Sequence, residues 1–288
     1  MQFDFFTFGG RIFWEDVFNY QNWVIQRNVK NKKYRLLDSH NIRRASGTFT
    51  ICKETLLKYI EAYEIEEPYN DTIILLHSFG RTKHSLTPII KKFSNYKANI
   101  IAINYASLKK DLNNQSNLLI QFFKNMNLKG NTYFINFGTG CLLLRKFLDN
   151  SNNYRKYNIT RVLDINPINS GSDLAELLVR KSFFRKLLGP MLLDISTKKA
   201  ISLGLIPKEI QHGIIFCPSK FNIFIKKLFS RFDSFPSQSI PSEHQYSEEI
   251  LTLDATTYLP LQNKKLQHAC YQYITTGKFP EYRRKNTN

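Results

Sequence analysis

Residues Thr132–Cys141 combine an apolar run, a turn of small residues and the start of a helix, an arrangement able to present a nucleophile. Tyr133-Phe134-Ile135 leads into Asn136-Phe137-Gly138-Thr139-Gly140, and Cys141-Leu142-Leu143-Leu144 follows. A serine on such an elbow obeys G-x-S-x-G, because small neighbours let the backbone fold tightly around it. Here the middle position is Gly138, which carries no side chain. Cys141 could supply a nucleophile instead, since a helix N-terminus favours a thiolate. The plainer reading of Cys141 is a small residue packed between helix and sheet. Asp233 and His244 could form a displaced acid–base pair or be solvated loop residues, and His84 and His268 carry no site signal. Cys52, Cys141, Cys217 and Cys270 are far apart and form no C-x-x-C pair. Neither a zinc site nor a disulfide framework is indicated, no cofactor motif is present, and a reducing cytoplasm fits.

The elements around the elbow alternate. Thr72–Leu76, Ala98–Ile103, Tyr133–Ile135 and Arg161–Ile165 read as buried strands, and Leu86–Phe93, Asn117–Met126 and Cys141–Leu148 as the helices between them. Short β-branched runs separated by amphipathic helices are the pattern of βαβ units on a mostly parallel sheet, an α/β fold. Helices and turns fill Ser172–Lys208, His212–Phe216 and Ile250–Leu253 read as late strands, and Leu261–Thr275 as a closing helix. Before this pattern, Arg11–Phe18 and Trp23–Val29 form a hairpin around Asn19-Tyr20-Gln21-Asn22, Tyr34–Asp38 adds a short strand, and Lys53–Tyr63 has helical spacing. The organisation expected is a β-rich N-terminal extension at 1–65, an α/β domain at 66–281 and a basic tail at 282–288. Phe13, Trp14, Phe18, Tyr20 and Trp23 place an aromatic cluster on the hairpin, either a partner-binding face or packing over the main domain.

The chain of 288 residues is 42% hydrophobic, ample for a core, and no apolar run is long enough to span a bilayer. Met1–Phe6 lacks the basic and apolar regions of a secretory signal. The formal charge of +18, from 41 Lys and Arg against 23 Asp and Glu, suits nucleic acid or an anionic membrane surface as partner. Compositional drift explains the same number, because the basic residues are scattered in doublets such as Lys32-Lys33, Arg43-Arg44 and Lys109-Lys110.

With the elbow in place, the chain resembles a lipase- or esterase-like member of the α/β-hydrolase superfamily over about residues 70–280. Thr72–Thr82, with His77-Ser78-Phe79-Gly80, is similar to that family's third strand and oxyanion loop. Ile101–Tyr105 is similar to the next strand, and Asn166-Pro167-Ile168-Asn169-Ser170-Gly171-Ser172 to the turn after the strand that follows the elbow. The resemblance implies a mostly parallel sheet flanked by helices, with the N-terminal β-hairpin as an extension. It implies a triad in the chain order Ser, acid, His. Gly138 stands at the first position, Ser237 of Ser237–Ile240 at the second, and Thr256-Thr257-Tyr258-Leu259 offers no histidine at the third. What survives is a vestigial elbow at Gly138 and a vestigial oxyanion region at His77, Ser78, Phe79 and Thr139. In it His77 braces the loop, and the N–H groups of Ser78, Phe79 and Thr139 could face a small acyl or anionic ligand.

Three functions follow as expectations. The first is an inactive pseudo-hydrolase acting as a binding or scaffolding module. The second is an active serine-type esterase with displaced catalytic residues. The third is a basic RNA-binding or assembly subunit, for which clustered positive charge would be the sign.

Overall fold

The computed structural model describes residues 8–150, 152–168, Ala175, Phe183, 189–217, 249–253 and 259–281. The chain enters through a 3-10 turn at Phe8–Phe13 and then forms an antiparallel meander of four strands. These are β1 (Trp14–Tyr20), β2 (Trp23–Asn28), β3 (Tyr34–Leu37) and β4 (Arg43–Gly47). β1 and β2 are the expected hairpin, closed by Gln21-Asn22 with Gln21 at φ +50°. β4 is a strand the sequence did not announce: it is a largely exposed edge, so its residues show no apolar alternation. Helix α1 (Phe49–Ala62) is capped by Thr48, whose hydroxyl accepts the Ile51 N–H at 3.3 Å. It buries Cys52 and Leu56 in one core with Ile25 and Leu36 of the meander.

Among the described residues the main sheet has six parallel strands in the order β10-β9-β8-β7-β5-β6. They are β5 (Thr72–Leu76), β6 (Asn99–Ile103), β7 (Thr132–Phe137), β8 (Ile159–Ile165), β9 (Gln211–Phe216) and β10 (Glu249–Thr252). The helices after α1 include α2 (Thr87–Lys92), α3 (Leu112–Asn125), α4 (Gly140–Leu148), α5 (Asn152–Lys156), α6 (Met191–Asp194), α7 (Thr197–Ile201) and α8 (Lys264–Thr276). α3 starts at Leu112 rather than Asn117 because Asp111 caps it, accepting the Asn114 N–H at 2.8 Å.

Alternation along the strands sorts the two faces. Ile73 and Leu75 of β5 share a core with Ile89 of α2 and Leu266 and Tyr273 of α8. Ile74 and Leu76 share the other core with Phe122 of α3 and Leu143 and Phe147 of α4. Neighbouring strands β5 and β7 therefore send their exits to opposite faces, which opens a crevice at their carboxyl ends, as at any switch point of an open parallel sheet. The meander is tied to the sheet at the carboxyl end of β6, where the Asp16 N–H donates to the Asn104 carbonyl at 2.9 Å, and to the far end of α3, where Asn125 Nδ2 donates to the Val17 carbonyl at 2.9 Å. Among the described residues no helix is long and apolar enough to cross a membrane.

Candidate functional site at the elbow

Gly138 sits between β7 and α4 at φ +58°, in the left-handed region that glycine enters freely and other residues enter with strain. Gly140 permits the second half of the turn, because a Cβ there would lie 2.8 Å from the Leu76 carbonyl oxygen. The turn is thus built for a tight approach of α4 to β5. A Cβ at Gly138 would lie 2.4 Å from Ser78 Oγ and 3.0 Å from Ser78 Cβ. The Ser78 hydroxyl fills the volume in which an elbow side chain would begin.

The structure brings His77, Ser78, Phe79, Gly138 and Thr139 together. The Thr139 N–H points at Ser78 Oγ across 3.4 Å, and the Phe79 N–H donates to Thr139 Oγ1 at 2.6 Å. The next N–H, of Gly80, donates to Ser107 Oγ at 3.1 Å. Of the three expected backbone donors, those of Phe79 and Thr139 are therefore turned onto hydroxyl groups of the protein itself. Thr139 thus acts through its side chain, which holds Phe79, as well as through the expected backbone N–H.

His77 is fully buried and stacks on Tyr105, with ring centroids 3.9 Å apart. Its Nδ1 lies 2.9 Å from the Ser78 carbonyl oxygen, which only accepts, so Nδ1 carries the proton. Nε2 accepts the Tyr105 N–H at 3.4 Å, and the Tyr105 hydroxyl donates to the His77 carbonyl. Burial, the foremost cause, lowers the His77 pKa from 6.5 to about 4. A neutral imidazole with both nitrogens engaged braces the loop and takes no proton from Ser78. Among the described residues the Thr139 N–H is the one hydrogen-bond partner of Ser78 Oγ, and no imidazole or carboxylate bonds to it.

Cys141 lies beneath the elbow, inside a buried polar cluster. Asp164 of β8 accepts Asn136 Nδ2 at 2.8 Å and faces His212 Nε2 at 3.2 Å. Burial first and then Asp164 push the Cys141 thiol well above its usual value, so the helix N-terminus does not produce a thiolate. Cys, His and Asp are present together, yet Cys141 is fully buried, Asp164 is 1% exposed and His212 6%. They form a buried structural cluster, which spacing along the chain does not reveal because three separate strands and a helix supply it.

The remaining candidates disperse. Trp23 and Phe18 are core residues, Trp14 stacks under Arg35 at 3.8 Å, and Phe13 lies under Lys30 at 4.3 Å, so the aromatic residues form no single face. Asn166, at the end of β8, pins the end of β9, accepting the Cys217 N–H at 2.7 Å and donating to its carbonyl at 2.8 Å. Asn169–Ser172, Asp233, Ser237–Ile240, His244 and Thr256–Tyr258 lie outside the described residues. His84, without signal in the sequence, lines a cavity of about 270 Å3 beside the crevice with Arg81, Phe137, Leu259 and Leu261. Among the described residues no three His, Cys, Asp or Glu side chains converge as metal ligands do.

No protein-family model matches the chain, and no curated protein does. Solved structures do. The mature form of the Bacillus licheniformis lipase BlEst2 superposes with a TM-score of 0.52 at 13% identity, over 74% of this chain and 94% of that one. The propeptide form of the same lipase gives 0.51 at 12% identity, over 76% of this chain and 53% of that one. The chain has the α/β-hydrolase fold. The turn at Gly138 follows β7 and the loop at His77–Gly80 follows β5, its neighbour in the sheet, so the two face each other across the crevice.

Proposed function

We propose that this chain is a binding or scaffolding module on a lipase-like hydrolase fold, without serine-esterase turnover. One observation carries the reading: Ser78 Oγ occupies the place of an elbow side chain while Phe79 and Thr139 spend their N–H groups on protein hydroxyls. A hydrolase needs those donors free for the developing oxyanion, and losing one such donor alone costs about 10²–10³ in rate. The neutral, fully engaged His77 supports the same reading, since it offers no general base. Four buried cysteines with no disulfide between them suit a reducing compartment such as the cytoplasm.

A second reading has its own observation. Ser78 is the hydroxyl at the elbow, and a serine that has moved from one side of the crevice to the other would stand in that place. Treatment with a fluorophosphonate probe, followed by mass spectrometry, separates the two. The module predicts no labelled serine and no ester turnover. Labelling of Ser78 that disappears in Ser78→Ala, with matching esterase activity, would replace it by the second reading.

A further inference from the structure

Where the meander meets the loop after β5, Arg11, Arg35 and Lys83 converge on a cavity of about 200 Å3, with Gln26, His84 and Asn104 also on its wall. The frame of this cavity is a single buried network. Asp16, Gln26 and Asn104 are 1%, 4% and 3% exposed. Asp16 Oδ1 accepts Gln26 Nε2 at 2.6 Å, and Oδ2 accepts Lys83 Nζ and the Asn104 N–H, each at 2.9 Å. Asn104 Nδ2 in turn holds the carbonyls of Arg11 (3.0 Å) and Trp14 (2.6 Å). Backbone and side chains from both sheets are fixed before any ligand arrives.

Arg35 is the most constrained of the cations. Its guanidinium lies on the Trp14 ring, 3.8 Å from the centroid, and its Nε and Nη2 share Gln26 Oε1 at 2.9 and 2.7 Å. Gln26 is oriented by Asp16, so the plane of the guanidinium is set. No carboxylate pairs with Arg35 or Arg11 among the described residues. Asp16 balances Lys83, which leaves two positive charges uncompensated around one small space. The local potential shows in two groups: burial foremost lowers Arg35 to about 10, with Arg43 and Arg11 adding to it against Asp16, and His84 is lowered by burial, Arg11 and Lys83.

A compact dianion matches this site in charge and size. A phosphate monoester carries about −1.5 to −2 at neutral pH and offers three acceptor oxygens, and arginine forks suit such oxygens. A carboxylate or a phosphodiester brings a single charge. A second basic hollow, about 410 Å3 and lined by Lys30, Lys32, Lys109 and Lys110, has more cations, but its lysines Lys30, Lys32 and Lys109 are exposed with no buried frame to orient them. We propose that the cavity between the meander and the main sheet binds a phosphate monoester through Arg35 and Arg11, with Lys83 on its third side. The site lies apart from the elbow and stands whether or not the elbow is silent.

The test is calorimetric titration of the full chain with inorganic phosphate at fixed ionic strength. The expected result is one site per chain, weakened at least about tenfold in Arg35→Met and in Arg11→Gln, and unchanged in Lys30→Gln. Arg35→Lys should not restore it, since an ammonium has no fork. The His84 imidazole, followed by NMR, should hold its proton to higher pH when phosphate is added, and the same phosphate concentration should produce a smaller rise in Arg11→Gln. Unfolding midpoints report whether each variant folds; should Arg35→Met fail, Arg11→Gln, an exposed side chain, carries the test. Phenyl phosphate competing alone marks a soluble ester as the source, and vesicles of phosphatidic acid competing better than phosphatidylcholine mark a lipid headgroup; either supports the site. No phosphate binding, equal affinity for dimethyl phosphate, or equal loss in Lys30→Gln would overturn it. So would a single-stranded oligonucleotide that outcompetes phosphate and depends on Lys30 as much as on Arg35.

Discussion

The backbone N–H of Phe79 donates to the Thr139 hydroxyl at 2.6 Å, joining the loop after β5 to the turn before α4 across the crevice. That bond latches the two loops together. Thr139 is 1% exposed, so the bond is sheltered on its acceptor side.

Thr139→Val should therefore cost stability without restoring catalysis. It removes the acceptor and leaves a Phe79 N–H with no partner, for which about 1–3 kcal/mol is expected, while Thr139→Ser should be near neutral. Denaturant unfolding of the three proteins gives the difference. A valine variant as stable as the parent would mean that the latch is weak or replaced by water.

Gly138→Ser should be destabilising by about 1–3 kcal/mol, from a left-handed φ and from the Cβ that would meet Ser78 Oγ at 2.4 Å. Part of that cost belongs to the contact alone. In the double-mutant cycle with Ser78→Gly, the contact term should appear as a coupling of about 0.5 kcal/mol or more, and the strain should remain. Neither single nor double variant should turn over ester. Additive stabilities would place Ser78 elsewhere, and ester turnover by Gly138→Ser would revive the active reading.

These residues also mark how far the sequence could be read. Gly138 and Gly140 between an apolar run and a leucine-rich helix announce the elbow, because the turn is local and its backbone needs are written in residue type. The parallel strands are legible for the same reason: β5 is buried at all five positions and reads as a continuous apolar run. Strand β4 is not, since an exposed edge imposes no pattern on Arg43 and Arg44. Ser78 filling the place of a Gly138 side chain is a contact between residues distant in sequence, and the Asn136–Asp164–His212 cluster depends on strand register. Such contacts follow from packing, which spacing along the chain does not encode.

Cys141 should resist alkylation in the native protein. Burial, then Asp164, keeps its thiol protonated well above the usual range, and Cys270, pushed up by its own burial, should resist equally. Iodoacetamide at mildly alkaline pH, read by peptide mass spectrometry, should modify neither until denaturant is added. Rapid native modification at Cys141 would mean an exposed thiolate and would reopen it as a nucleophile.

His77 should make the fold acid-sensitive in a defined window. Its folded pKa is lowered from 6.5 to about 4, foremost by burial, so the unfolded chain takes up the proton first as pH falls. The contribution is fully present above the unfolded value of 6.5, declines as pH drops towards about 4 and levels off below it. At about 1.4 kcal/mol for each unit of difference, the whole effect is on the order of 3 kcal/mol. The structural cause is specific: the incoming proton would go to Nε2, which already accepts the Tyr105 N–H, and would set two donors against each other. His77→Gln offers a control, because an amide can donate to the Ser78 carbonyl and accept from Tyr105 without titrating. Urea unfolding of both proteins across this window should show the parent losing stability relative to the variant as pH falls. Parallel curves would remove His77 as the source and show that its ring is reached by water.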